Sequence, residues 1–343
     1  MSEGNGNFSE PPNRGPMDQF SAHLDRGWDL VHRGDLTGAR RSAEKSLELD
    51  SESAEAHNLL GYVSAAIGSP ETALEHYKQA IALDDSFVEA MLNAAEVLIH
   101  PLHDFGAATG LIDEALEWAE SDDEVADALL LKFDAHMHQG DQDAARQLLR
   151  TLPDGPFESA RLDFLVGRAC FEVGELDTAK PHLERAVQRE PENPDARYYM
   201  GLLHDSRGDH DAATVELLRC RELDSGAPRP QWSWSQEHFE RQLREAIERL
   251  DERRRSVLEG ALVVVSDLPG AEVVADGVDP RAAVLLDALR DREAAPRAGR
   301  AFVYQRNVER ACESPAKLDD ELLRLLQAEI DATFPNASGA PSA

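Results

Sequence analysis

Five glycines limit what this chain can fold into. Gly34 and Gly68 are 34 residues apart, Gly140, Gly174 and Gly208 repeat that step, and 72 residues, two periods plus four, separate the groups. A second series, Gly27, Gly61, Gly167 and Gly201, runs seven residues ahead of members of the first. A third, of small residues, follows each turn by five: Ala39, Ala73, Ala145, Ala179 and Ala213, with Ala107 or Ala108 filling the gap. A period of this length predicts stacked units, each a supersecondary element that buries its apolar face only against its neighbours. Each unit reads as two antiparallel helices joined at the turn glycine. The early glycine and the later alanine stand where the pair crosses closely, and bulk there would force the helices apart.

In the second unit the run Leu60-Gly61, Ala73, Tyr77 and Ala80, and in the fifth the terminal Pro191, resemble the tetratricopeptide-repeat family. The resemblance covers residues 18 to 225 as six units, after a polar stretch, 1–17, expected to be disordered. The third unit departs from the pattern, with His100-Pro101-Leu102-His103-Asp104 for its turn and Ala95 for its early glycine. Between the fourth and fifth units, Thr151 to Pro156 should break the second helix early.

The resemblance implies a concave surface, lined by the first helix of each unit, that binds extended or helical peptides. On the groove-facing positions stand Leu24 and Trp28, Asn58 and Tyr62, Leu92 and Glu96, Phe164 and Arg168, and Tyr198 and Leu202, with Arg161 one turn before Phe164. Aromatic and arginine side chains dominate interface hot spots, so Trp28, Tyr62, Arg161, Phe164, Arg168 and Tyr198 are the candidate partner-binding residues. For the aromatics, packing between repeats is an equal alternative. Chaperone-binding members of the family hold a carboxylate with lysines and asparagines. Here Asn58 and Asn93 stand without lysines on the same face, which disfavours that role.

The net charge of −31 is uneven, −26 over residues 1–225 and −5 over 226–343. Such a surface repels phosphate backbones and anionic membranes, so a nucleic-acid partner is not expected. The charge serves either solubility or a preference for basic protein partners, and both readings stand open. No stretch approaches the roughly 18 to 20 apolar residues of a membrane span, and residues 1–16 lack an apolar signal core. Three scattered cysteines, Cys170, Cys220 and Cys312, suit free thiols in a reducing cytoplasm. Among the histidines, His100, His103 and Asp104 share one turn, whereas His136 and His138 diverge on a helix. Neither group is expected to hold a metal, and no cofactor is expected.

From Ser225 the period stops, and residues 226–234, with Pro228, Pro230, Trp232 and Trp234, read as a linker. Residues 235–255 predict an amphipathic helix with Phe239, Leu243, Ile247 and Leu250 on one stripe. Residues 261–265 and 300–304 read as strands, and 279–290 and 319–333 as helices, a small α+β domain spanning 235–335 before a disordered tail, 336–343. The segment Val263-Val264-Val265-x-Asp267-Leu268-Pro269, then Val303 to Arg310, then a final helix, resembles the minimal zincin-like metallopeptidase domain of bacteria. That resemblance implies an H-E-x-x-H zinc motif on the last helix, two histidines binding zinc and a glutamate polarising the water. At the matching place stand Ala328, Glu329 and Ala332, and residues 239–343 contain no histidine. The implied domain is a pseudoenzyme with no catalytic residues, in which Glu329 is an ordinary carboxylate. The mostly helical chain is thus expected to bind a protein or peptide. The competing readings are a zinc metallopeptidase with a non-standard metal site, and an oligomeric scaffold.

Overall fold

At the hairpin turns, Gly34, Gly68, Gly140, Gly174 and Gly208 all take φ between 75° and 80°, a left-handed conformation that glycine adopts without a Cβ clash. The structure is a computed structural model describing residues 16–289, 297–312 and 314–335. Residues 1–15 and 336–343, expected to be disordered, lie outside the described residues.

The glycines join helices in pairs: α1 (Pro16–His32) with α2 (Leu36–Leu49), α3 (Ala54–Ala66) with α4 (Pro70–Leu83), and α7 (Asp122–His138) with α8 (Gln142–Leu149). Two more pairs follow, α9 (Ala160–Glu172) with α10 (Leu176–Arg189) and α11 (Pro194–Ser206) with α12 (His210–Gly226). The third pair, α5 (Val88–Ile99) and α6 (Phe105–Trp118), turns through His100–Asp104 without a glycine, and His103 takes φ 52° instead. An aspartate caps the second helix at several turns. Asp35, Asp104, Asp141 and Asp209 each accept the amide three residues on, at 2.9 to 3.2 Å, satisfying a donor that has no partner inside the helix. The helix α8 ends after two turns, where Thr151 to Pro156 were expected to break it.

The chain divides into two units, one up to Arg185 and one from Ala186. In the first, Ala39, Ala73, Ala108 and Ala145 are fully buried at the helix crossings. A Cβ on Gly61 would sit 2.5 Å from the ring of Tyr77, so the early glycine is what admits that buried aromatic. Neighbouring hairpins are tied by a polar chain in which Asn93 Nδ2 donates to Asn58 Oδ1 and Asn58 Nδ2 donates to Glu89 Oε1.

The second unit takes in the sixth hairpin, α11 and α12, together with the α+β domain, whereas the sequence placed a division near residue 225. A polar cluster lies within the unit. Asp224 on α12 is 2 % exposed, 2.6 Å from an Arg310 guanidinium nitrogen and 3.2 Å from Arg281 Nε. The expected linker at 226–234 is likewise corrected. The helix α12 runs through Gly226, Trp232 and Trp234 pack against the domain core, and the buried Glu309 carboxylate accepts from Ser233 Oγ and the Trp234 amide.

Beyond it the amphipathic segment forms two helices, α13 (Gln236–Arg249) and α14 (Glu252–Val257), because Asp251 caps a fresh start by accepting two amides. Three strands follow, β1 (Leu262–Ser266), β2 (Val284–Leu289) and β3 (Arg297–Tyr304), in the order β1-β3-β2, with β1 parallel and β2 antiparallel to β3. The short helix α15 (Ala271–Ala275) lies between β1 and β2. After β3 come α16 (Gln305–Arg310) and the closing helix α17 (Leu318–Thr333). The expected helix at 279–290 is therefore wrong: Val284 to Leu289 is a strand. Alanine and leucine favour a helix there, but pairing with β3 and burial of the alternating Val284 and Leu286 override that local preference. Leu322, Leu326 and Ile330 of α17 pack with Phe239 and Leu243 of α13 in the core over the sheet.

Candidate functional site

A cleft of about 530 Å³ opens in the first unit along α5, α7 and α9, the first helices of the third, fourth and fifth hairpins. Its apolar lining comes from Leu92, Leu130, Leu131 and Leu165, and it bears six carboxylates, Glu89, Glu96, Glu124, Asp127, Asp134 and Glu172, against Arg161 and Arg168. The repeat sets these locations. Positions one turn apart on a first helix share a face, which puts Leu92 and Glu96 of α5, and Arg161, Leu165 and Arg168 of α9, along one wall.

Of the residues chosen from sequence, Arg161 and Arg168 line the cleft. The buried Nε of Arg168 lies 3.3 Å from Glu172 Oε1 without hydrogen-bond alignment, so it has no hydrogen-bond acceptor. Phe164, on the same helix, is 9 % exposed and belongs to the core, the packing alternative weighed for the aromatics. Trp28 and Tyr62 meet edge to face at 5.5 Å, with Trp28 packed on the core of the first two hairpins and Tyr62 40 % exposed. Tyr198 is already engaged: its hydroxyl donates to Asp279 at 2.9 Å, and the Arg281 guanidinium lies 4.5 Å from its ring centre. Phe164 and Tyr198 are therefore corrected as freely available groove residues. The cleft acids other than Glu96 went unnamed, although a repeat-by-repeat reading of α7 would have found Glu124, Asp127 and Asp134.

On α17, Ala328 and Ala332 are exposed. Glu329 accepts from Thr333 Oγ1 at 3.0 Å and from the Leu286 backbone amide of β2. Burial raises its carboxyl pKa, while those two hydrogen bonds oppose the rise. The three thiols are free and buried, and burial pushes Cys170 and Cys220 up to about 12. Among the described residues, no helix is long and apolar enough to cross a membrane.

A family model described as tetratricopeptide repeat matches residues 24–100 and 166–227, supporting the repeat reading of both stretches. The fold is similar to that of PilF of Pseudomonas aeruginosa, with 19 % identity and a TM-score of 0.51, covering 62 % of this chain and 96 % of that one. It is also similar to PilW, a type IV pilus biogenesis factor, with 16 % identity and a TM-score of 0.50, covering 61 % of this chain and 94 % of the other. No curated protein matches the sequence. The chain thus has a tetratricopeptide-like helical-repeat fold, of a class that generally mediates protein–protein interaction.

Proposed function

We propose that the first unit is an interaction module whose cleft takes a basic, partly apolar segment of another protein, and that the α+β domain catalyses nothing. The cleft's composition carries this reading: leucines in the lining, and six carboxylates against two arginines. Apolar burial supplies affinity, while the excess of carboxylates steers and selects cations. The Arg168 guanidinium, ion-paired with Glu172 on a side chain that is 43 % exposed, offers its outer N–H groups to a backbone carbonyl of the bound segment, and the exposed part of Tyr62 beside Trp28 extends the contact surface. The same acidity speaks against nucleic acid, and three unpaired thiols suit a cytoplasmic setting.

The domain reads as a minimal zincin-like fold whose zinc histidines have been replaced by Ala328 and Ala332. Its strands followed by a closing helix support that reading, and Glu329 is occupied by the amide of edge strand β2. Zinc held by carboxylates alone is uncommon, so the peptidase alternative has no observation in its favour.

Fluorescence anisotropy with a short labelled peptide alternating arginine and leucine tests the cleft. Affinity for the full chain should fall as salt rises. It should fall about tenfold, roughly 1.4 kcal/mol, in Glu96→Gln/Asp127→Asn, and by about 1–3 kcal/mol in Arg168→Ala. Equal affinity for an acidic peptide, or no change in either variant, would overturn the reading.

A further inference from the structure

The histidines near the cleft combine differently from their order in sequence. His103 lies beside Phe105 at 6.1 Å, and Asp104 is spent on the Ala107 amide, so the turn cluster does not form. Instead His100, which closes α5, meets Asp134 and His138, one turn apart on α7. His100 Nε2 is 2.9 Å from Asp134 Oδ2, and His138 Nε2 is 3.9 Å from Asp134 Oδ1. The three donor atoms all lie within 4.8 Å of one another. The Phe105 ring stacks on His138, 6.1 Å between centres.

We propose that His100, Asp134 and His138 form a binding site for a divalent transition-metal ion of the zinc class. Two imidazole nitrogens and one carboxylate oxygen are a donor set that zinc accepts, whereas magnesium and calcium prefer oxygen alone. Metal–donor bonds of about 2.0–2.2 Å in a tetrahedron place donors roughly 3.3 Å apart. The two separations, 2.9 Å to Oδ2 and 3.9 Å to Oδ1 of Asp134, lie on either side of that value, so binding asks for rotation of the carboxylate and of the two exposed imidazoles. The i, i+4 spacing of Asp134 and His138 sets two donors on one helix face, and the α5 terminus brings the third. His100 and Asp134 also line the cleft, leaving the fourth position to water. Only if the cleft binds a peptide, as proposed above, would that position take a donor from the peptide, and the ion alone tests the site.

The test is titration of the full chain with Co²⁺, followed by its visible absorption, and with Zn²⁺ by calorimetry. One equivalent of either ion should bind, and more weakly at acidic pH because protons compete for the imidazoles. His100→Ala and His138→Ala should each abolish the cobalt spectrum, and Asp134→Asn should weaken binding at least tenfold. His136→Ala and Glu329→Gln should leave it intact, with circular dichroism confirming the fold of each variant and His138→Gln standing in if His138→Ala unfolds. Absence of binding, binding that survives both histidine removals, or equal loss in His136→Ala would overturn the site. None of these outcomes depends on the peptide assay.

Discussion

The successive first helices α9 and α11 carry the same repeat position and put it to different uses. On α11 that position is Tyr198, and the chain's own Arg281 lies on its ring, 3.2 Å from Asp224 and 2.7 Å from Asp195. On α9 the position is Phe164, turned into the core, while Arg161 and Arg168 reach the cleft. A repeat position thus fixes a location and leaves its occupant to the neighbouring chain. The α11 face shares one element of the chemistry proposed for the cleft, a cation held by carboxylates, and adds an aromatic ring. Burial would raise the pKa of Asp224, but hydrogen bonds and charge from Arg310 and Arg281 hold it below the usual carboxylate range.

The comparison breaks most visibly if Arg281 is removed. Stripping one of two cations from a carboxylate that is 2 % exposed, with Arg310 still in place, should cost Arg281→Ala about 2–3 kcal/mol, read by chemical denaturation of the full chain. Adding Asp224→Asn should recover part of the loss, and a cost within ordinary surface scatter would show that Arg281 is no clamp. In the first unit, Ala73→Trp should overpack a fully buried crossing at a cost of roughly 1–3 kcal/mol. An unchanged melting temperature would mean the hairpin register is misread.

The next difference is in pH. Burial lowers the pKa of His57, of His76 and of His182, with Arg185 also depressing His182. Their folded pKa values lie below the unfolded value of 6.5, so the unfolded state binds protons first as pH falls. Stability should be full above 6.5 and decline below it until the folded values are passed. Melting temperatures across pH 7.5 to 5.5 check this, and His182→Gln should flatten the slope. The smallest effect is expected at Glu329, whose raised pKa works the opposite way: its destabilisation grows as pH rises above the ordinary carboxylate range. Glu329→Gln should leave stability at neutral pH unchanged or slightly improved, and a marked loss would mean its charge is needed.

The hairpins were legible because their signal is written in backbone-limited residues: Gly34 and Gly68, seven residues after the helical glycines and five before the alanines, mark the left-handed turns by their place in the period. Arg161 and Arg168 were placed in the groove by the same phase. Phe164 was not resolved, since its two environments differ by a modest rotation about the helix axis that periodicity does not register. The engagement of Tyr198 depended on Arg281, 83 residues further on, and pairing at that range leaves no local trace. Residues 284–289 misled for a related reason, their alanine and leucine favouring a helix until β3 supplies a partner.

The third turn has one more consequence. His103, at φ 52°, is the only non-glycine residue with positive φ among the described residues, a conformation that costs about 1 kcal/mol or more. That strain lies at the end of α5, one of the walls of the cleft. Local opening should therefore begin there, and amides at 100–104 should exchange with solvent sooner than their counterparts at the glycine turns. Whatever ties His100 to Asp134 works against that opening, so occupancy of the cleft's rim would register first as slowed exchange in the turn that His100 begins.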